Sequence, residues 1–181
     1  MRAFKGFHKN LTCRGYQFQE KMVHQTLEAN CRQNGFHCAE NPLDCLDYYR
    51  DWNNSVYYIV NASGDINEDE NDSKISCTEM VLVKKLTLND FIFESIVYMV
   101  HHPMRDWHHR IIPNKAMAET DFTIVRGKQP IALGKSGTIL GIVKEYPESR
   151  AIMEIAILEI DGNKYMSDTW YDVSGQEVED K

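Results

Sequence analysis

Four histidines lie between positions 101 and 109 as two adjacent pairs, His101-His102 and His108-His109. Imidazole changes its protonation state closest to neutral pH, so His101 and His108 could act as general base and general acid, for example in RNA cleavage. A metal site would need three or four converging ligands, and adjacent histidines usually point apart. The alternative is that the first pair interacts with the negative end of a helix while the second lies in a surface loop.

Thiols and an imidazole also gather around residue 38, at Cys31, His37, Cys38 and Cys45. Structural zinc sites usually contain two thiols separated by two to four residues, and that spacing is missing here. Five cysteines in a chain without an export signal indicate reduced thiols rather than disulfides. The sequence therefore predicts small buried thiols, no metal and no cofactor.

The elements around these residues predict an α+β fold with mostly antiparallel sheets. Asn41-Pro42 is typical of a helix start, and we predict a helix over about 42–49. Thr87 and Asp90 resemble a capping box before an apolar stripe, which predicts a second helix over 88–102 that ends at Pro103. We predict strands at 2–7, 11–18, 36–38, 55–61 and 74–83, an irregular segment at 104–119, and an antiparallel β meander over 121–181, where Asp161-Gly162 is typical of a hairpin turn. The corresponding domains are 1–120 and 121–181.

The charge of −7 is unevenly distributed along the chain. Residues 61–80 carry a net charge of −5 and residues 141–181 a net charge of −6. An acidic protein binds nucleic acid poorly, because lysine and arginine contacts to phosphate supply most of that affinity. We expect a basic protein partner instead, bound in part through acidic residues of a polar loop predicted at 64–72: Asp65, Glu68, Asp69 and Glu70.

The proline-bounded segment 103–115 is the second predicted binding surface. It contains Met104, Arg105, Trp107 and Arg110, and tryptophan and arginine are enriched at interface hot spots. We expect Trp107 to be exposed; the competing interpretation is that it belongs to the core.

No apolar run is long enough to cross a membrane, so we expect a soluble cytoplasmic protein of unspecified oligomeric state.

Several runs together resemble an uncharacterised family that is common in phage and prophage genomes. They are KGFHKNLTCRGYQF (5–18), NGFHCAENPLDCLDYY (34–49), RGKQPIALGKSGTILGIVKEY (126–146) and DGNKYMSDTWYDV (161–173). In longer members of that family, repeats resembling a β-helix separate the two ends. The resemblance implies a genomic context and no particular catalytic residues.

The order of an Arg-Gly strand, a Gly-Phe-His strand and a helix is similar to the opening of ADP-ribosyltransferase-like folds. That resemblance implies a dinucleotide cleft lined by Arg14, Gly15, Gly35, Phe36 and His37, with Tyr48 or Tyr49 stacking on the nicotinamide. The chain offers no suitable catalytic glutamate: Glu68 and Glu70 fall in the predicted polar loop, and Glu79 falls in a predicted strand.

A small acidic chain of phage type without a catalytic signature is expected to bind a host protein. Inhibitors of CRISPR effector nucleases are the best-populated class of such proteins, so we predict binding to an effector–guide RNA complex, by analogy with that class. Two alternatives stay open. One is an enzyme acting on the effector or its guide RNA, with His101, His108, Arg14 or His37 as catalytic residues, and the other is a structural or assembly protein of the virion.

Overall fold

The computed structural model describes residues 1–69 and 73–179. The chain divides into two compact units, Met1–Thr87 (unit 1) and Leu88–Lys181 (unit 2). The elements of unit 1 are β1 (Arg2–His8), β2 (Thr12–Cys13), β3 (Tyr16–Gln17), β4 (Val23–Gln25), β5 (Phe36–Ala39), the 3₁₀-helix Pro42–Asp47, β6 (Ser55–Glu68) and β7 (Lys74–Lys85). Those of unit 2 are α1 (Leu88–His101), β8 (Ile111–Ala118), β9 (Phe122–Gly134), β10 (Ile139–Glu145), β11 (Ile152–Glu159) and β12 (Tyr171–Asp172).

The predicted α+β class with mostly antiparallel sheets is confirmed, because the fold is mostly β, contains two helices and pairs most strands antiparallel. The sequence-predicted boundary after residue 120 lies inside unit 2. Strand β8 comes before that boundary and pairs with β9 after it, so the two strands belong to one sheet.

None of the helices in the described ranges combines the length and apolar character needed to span a membrane.

Unit 1 is built on a closed ring of four antiparallel strands. Strand β1 pairs with β5 and β6, and β7 also pairs with both, which closes the ring. Strand β4 pairs with residues 79–81 of β7, beyond the stretch 74–77 that pairs with β5. The ring encloses a core that is rich in aromatic and sulfur-containing side chains. Its members include Phe7, Phe18, Phe36, Cys38, Tyr58, Val60, Ile75, Cys77, Met80 and Leu82.

The predicted first helix is present as a 3₁₀-helix that ends at Asp47, two residues before the predicted end. Its start is as predicted: Asn41 has extended backbone angles, its side chain accepts a hydrogen bond from the Leu43 N–H at 3.1 Å, and Pro42 occupies the first turn. Leu43 and Leu46 are both buried. Residues three apart are aligned in a 3₁₀-helix, so this geometry buries both leucines on one narrow face.

The second helix, α1, ends one residue before the predicted end. It buries the four apolar residues Phe91, Ile92, Ile96 and Met99 of the predicted stripe.

The predicted loop over 64–72 is wrong as far as Glu68, because β6 continues to that residue and pairs with β7. Gly64 has a φ of +75° where the register shifts, so glycine bends the strand without ending it.

The predicted antiparallel meander in unit 2 is wrong. Strand β9 pairs parallel with β8 on one side and with β10 on the other, while β11 is antiparallel to β10. Parallel partners normally need a long crossover, whereas β10 pairs with the first half of β9 (122–127) and only residues 135–138 separate the two strands in sequence. Asp161-Gly162 does form a turn, capped by the Asp161 carboxylate, but the next strand β12 pairs with β9 and forms no hairpin with β11.

Candidate functional site

Unit 1 contains a polar cluster of three side chains, Lys5, Cys13 and Tyr49, and the buried lysine lies at its centre. Lys5 on β1 is only 5% exposed, and its ammonium donates hydrogen bonds to the His37 carbonyl oxygen at 2.6 Å and to the Cys13 sulfur at 3.5 Å. The rings of Phe7 and Phe18 lie 5.3 and 5.4 Å from the same nitrogen. A buried charge is costly unless hydrogen bonds and aromatic faces compensate for lost water, so Lys5 holds these groups in place.

Cys13 reaches Lys5 because a tight hairpin ends its strand. Strands β2 and β3 pair Cys13 with Tyr16, and the two residues between them, Arg14 and Gly15, both have positive φ, of 48° and 80°. Such angles suit a two-residue turn that matches the twist of a hairpin. The Arg-Gly pair is therefore the tip of a hairpin and not the middle of the predicted strand, and Arg14 is exposed there.

Tyr49, just after the 3₁₀-helix, completes the cluster. Burial, and then a hydrogen bond with the Cys13 side chain, raise the pKa of the Tyr49 hydroxyl. Its ring lies directly against Gly6 of β1, where an added Cβ would be 2.6 Å from the Tyr49 Cδ2 atom. Glycine at position 6 is thus required for the ring to approach, and the sulfur of Cys13 has hydrogen-bonding contacts with Lys5 and Tyr49.

His37 is held as a neutral imidazole. Its Nε2 accepts a hydrogen bond from the Arg32 backbone N–H at 2.9 Å. Burial, followed by the charges of Lys5, Arg14 and Lys74, lowers the pKa of His37 to about 4. His37 therefore positions the loop before β5, and it would be a weak base for the catalytic role that the sequence suggested.

The depressed pKa of His37 predicts an acid-sensitive fold. Its pKa is about 4 in the folded state against 6.5 for the free side chain, so its contribution to stability is complete above pH 6.5 and is lost as the pH falls from 6.5 to 4. Solvent screening at this half-buried ring reduces the effect to about 1–2 kcal/mol. Urea titrations between pH 7 and pH 4 should show a flatter pH dependence for His37→Gln than for the wild type; equal slopes would contradict the assignment.

The cleft implied by the transferase-like resemblance is only partly assembled. Phe36 is 7% exposed and belongs to the core, and Arg14 and Gly15 form a turn. The charge of Arg14 nevertheless acts on both His37 and Tyr49, so these three residues lie in one electrostatic neighbourhood. Tyr48 packs against the Lys74 ammonium, which lies 4.7 Å from its ring centroid.

The thiols considered for zinc each have contacts of their own. Burial raises the pKa of the Cys45 thiol to about 12, which keeps it protonated. A hydrogen bond with Cys77, and then burial, raise the pKa of Cys38. The Cys31 thiol donates to the Lys74 carbonyl oxygen at 3.7 Å, and none of the five cysteines, all within the described residues, forms a disulfide.

The predicted binding segment of unit 2 contains Trp107, which is half-buried and not exposed as expected. The Arg126 and Arg150 guanidinium carbons lie 5.0 and 5.6 Å from its ring centroid. Arg126 is 1% exposed, and its side chain binds the Glu145 carboxylate at 2.7 Å and the backbone carbonyls of Pro103 and Arg150. These contacts attach the segment to the sheet, which gives Trp107 a structural role.

The other candidates of this segment lie nearer the surface. Met104 is 65% exposed, Arg105 is exposed and Arg110 is half-buried. His101 is exposed at the end of α1, and the His108 ring contacts that of His109 with centroids 4.2 Å apart. The acid–base pairing of His101 with His108 stays a prediction.

The predicted acidic surface divides into two kinds of residue. Asp65 and Glu68 are exposed on β6, whereas the Asp69 side chain is 5% exposed and forms an ion pair with Arg32. Glu70 lies outside the described residues. Two carboxylates of the predicted surface, Asp65 and Glu68, are therefore presented to solvent.

Sequence reasoning missed Lys5, Cys13 and Gly6 as site residues. A usable signal was present in the strand RAFKGFH, where the alternation of β-structure places Lys5 on the same face as Ala3 and Phe7. A lysine at an inward position of an apolar strand needs a specific partner. The identity of that partner depends on the hairpin at Arg14-Gly15, which brings Cys13 back over β1.

Comparisons with known proteins give one match. The model of a family described as "Domain of unknown function (DUF7666)" matches residues 1–94, which include all of unit 1 and the Lys5, Cys13 and Tyr49 cluster. No curated protein and no solved structure matches the chain. Because the match covers more than half of the 181 residues, the chain belongs to this family of unknown function, DUF7666.

Proposed function

We propose that the chain acts by binding a protein partner through an acidic strand edge, and that the partner is a CRISPR effector nuclease loaded with guide RNA. The observation that supports this is the second half of β6. Beyond Asn61 this strand pairs with β7, whereas its pairing with β1 stops at Asn61, and it carries the exposed Asp65 and Glu68.

Carboxylates on a paired strand suit a basic partner better than carboxylates on a mobile loop. The backbone is already ordered, so binding loses less conformational entropy. Complementary charge raises the association rate and fixes the orientation of the partners. An effector nuclease holds its guide heteroduplex in a positively charged channel, which is a surface of the required kind.

The choice of partner rests on the resemblance of the GFHCAENPLD and DGNKYMSDTWYDV runs to a phage-associated family. An inhibitor of this type would act in the cytoplasm of the infected cell and would need no cofactor. A virion assembly protein is the alternative with the same genomic context, and it would not bind the effector.

The test is a charge reversal at the acidic edge with a matched control. We expect Asp65→Lys/Glu68→Lys to weaken binding to the guide-loaded effector at least tenfold and to relieve inhibition of DNA cleavage. The control, Glu119→Lys/Glu148→Lys, makes the same change in net charge at two exposed acids of unit 2 and should leave binding within about threefold. Wild-type affinity should also fall as salt rises.

Three results would contradict the proposal. Lack of wild-type binding at micromolar concentration would exclude the effector as partner, and equal binding by both double variants would exclude this edge. A guide RNA that is cleaved, or an effector whose mass has increased, would support the enzyme alternative. Loss of that activity in His101→Ala or His108→Ala, with binding retained, would then assign it to the histidines.

A further inference from the structure

The charge of Lys5 has an unusual set of partners. Within residues 1–69 and 73–179 its ammonium contacts a carbonyl oxygen, a thiol and two aromatic rings, and no carboxylate pairs with it. Buried lysines are normally paired with an acid or lose their charge. The group at Cys13 that best complements an ammonium is a thiolate.

Cys13 also differs from the buried thiols in access. Cys38, Cys45 and Cys77 are at most 6% exposed, whereas Cys13 is half-buried. A small solute therefore has more access to Cys13 than to these three thiols. The nucleophilic form of cysteine is the thiolate, and a lysine at hydrogen-bonding distance stabilises that form.

Tyr49 supplies a second polar hydrogen at the same sulfur. Its pKa is raised, so the hydroxyl remains protonated and can donate. A reagent that accepts a proton as its bond breaks would thus meet two donors, the Lys5 ammonium and the Tyr49 hydroxyl. Hydroperoxides are small electrophiles of this kind, because their leaving group departs as an oxyanion.

We propose that Cys13 is a peroxide-reactive thiol whose nucleophilicity is set by Lys5 and Tyr49. The Cys13 thiolate attacks one oxygen of a hydroperoxide, a sulfur–oxygen bond forms and the oxygen–oxygen bond breaks. Sulfur is oxidised by two electrons to the sulfenic acid, and the peroxide is reduced to water or an alcohol after the leaving oxygen takes a proton from one of the two donors. This reaction is separate from partner binding at Asp65 and Glu68 and does not depend on it.

Cys31 provides an internal control in the same molecule. It is also half-buried, and its thiol donates to a backbone carbonyl oxygen. The full chain is treated with hydrogen peroxide and a 1,3-dicarbonyl probe that traps sulfenic acid, and both peptides are quantified by mass spectrometry. We expect Cys13 to be labelled at least tenfold faster than Cys31.

Variants then separate activation from mere exposure. Lys5→Met should slow labelling of Cys13 at least tenfold with Cys31 unchanged, Lys5→Arg should retain the rate within about threefold, and Tyr49→Phe should slow Cys13 about threefold or more. In the wild type, iodoacetamide should also alkylate Cys13 faster than Cys31 at pH 7. The Tyr49→Phe comparison and the wild-type comparison of Cys13 with Cys31 remain informative even if Lys5→Met does not fold.

The proposal is overturned if wild-type Cys13 reacts with peroxide no faster than Cys31, or if iodoacetamide alkylates both thiols at the same rate. It is also overturned if Lys5→Met is folded, by circular dichroism, and retains the wild-type rate at Cys13. In that case the cluster would be a structural contact that fixes the β2–β3 hairpin on β1.

Discussion

Arg126→Met is expected to lower the free energy of unfolding by about 3 kcal/mol, because it breaks a buried ion pair from one side. Arg126 is 1% and Glu145 11% exposed at the side chain, and the substitution leaves the Glu145 carboxylate with little water to replace its partner. The carbonyl oxygens of Pro103 and Arg150 lose a donor, and Trp107 loses a cation from its ring face. Urea denaturation followed by circular dichroism measures the change.

The exposed pair Lys135–Asp168 is the matched control in the same unit. Its side chains are 48% and 59% exposed, so water and salt screen the interaction. Lys135→Met should therefore leave the unfolding midpoint nearly unchanged. An Arg126→Met variant that is as stable as Lys135→Met would show that Arg126 is solvated and that the segment around Trp107 is not fixed by it.

Gly35→Ala is expected to cost about 3 kcal/mol, from backbone strain together with a steric clash. Gly35 has a φ of +86°, and an added Cβ would collide with the Ser76 hydroxyl oxygen and lie 2.9 Å from the Ala29 Cα atom. The Ser76 hydroxyl cannot move freely, because it donates to the Asn34 carbonyl oxygen at 2.6 Å.

Gly15→Ala separates the two causes within the same unit. Gly15 has a similar φ of +80° but faces open space, so alanine there should cost only the backbone term, about 1 kcal/mol. Thermal or urea unfolding of both variants gives the difference. Equal losses would mean that the packing around Gly35 relaxes and that the close approach of β7 is not required.

Local signals in the sequence were sufficient where a structure depends on near neighbours. The Asn41 cap, Pro42 and the α1 helix with its buried Phe91 and Met99 follow from side-chain and backbone preferences over a few residues. Asp161-Gly162 was identified as a turn for the same reason, since glycine tolerates a positive φ. Local strand patterns located β1, β6 and β7, whereas β8 lies in the segment predicted to be irregular.

Pairing direction and the candidate site could not be predicted in this way. The same alternating pattern serves parallel and antiparallel neighbours, so nothing local indicated that β9 runs parallel to β8 and β10. Trp107 is half-buried because Arg126, nineteen positions later in the chain, lies against it.

The sequence by itself determined the β-rich class, both helix starts, the glycines at turns and the acidic stretches that carry Asp65 and Glu68. Only the tertiary structure brought Lys5, Cys13 and Tyr49 together, from a strand, a hairpin and the end of a 3₁₀-helix. The physical reason is that a buried ammonium selects its partners by distance and desolvation within the closed ring of strands, and neither quantity is encoded by residue spacing along the chain.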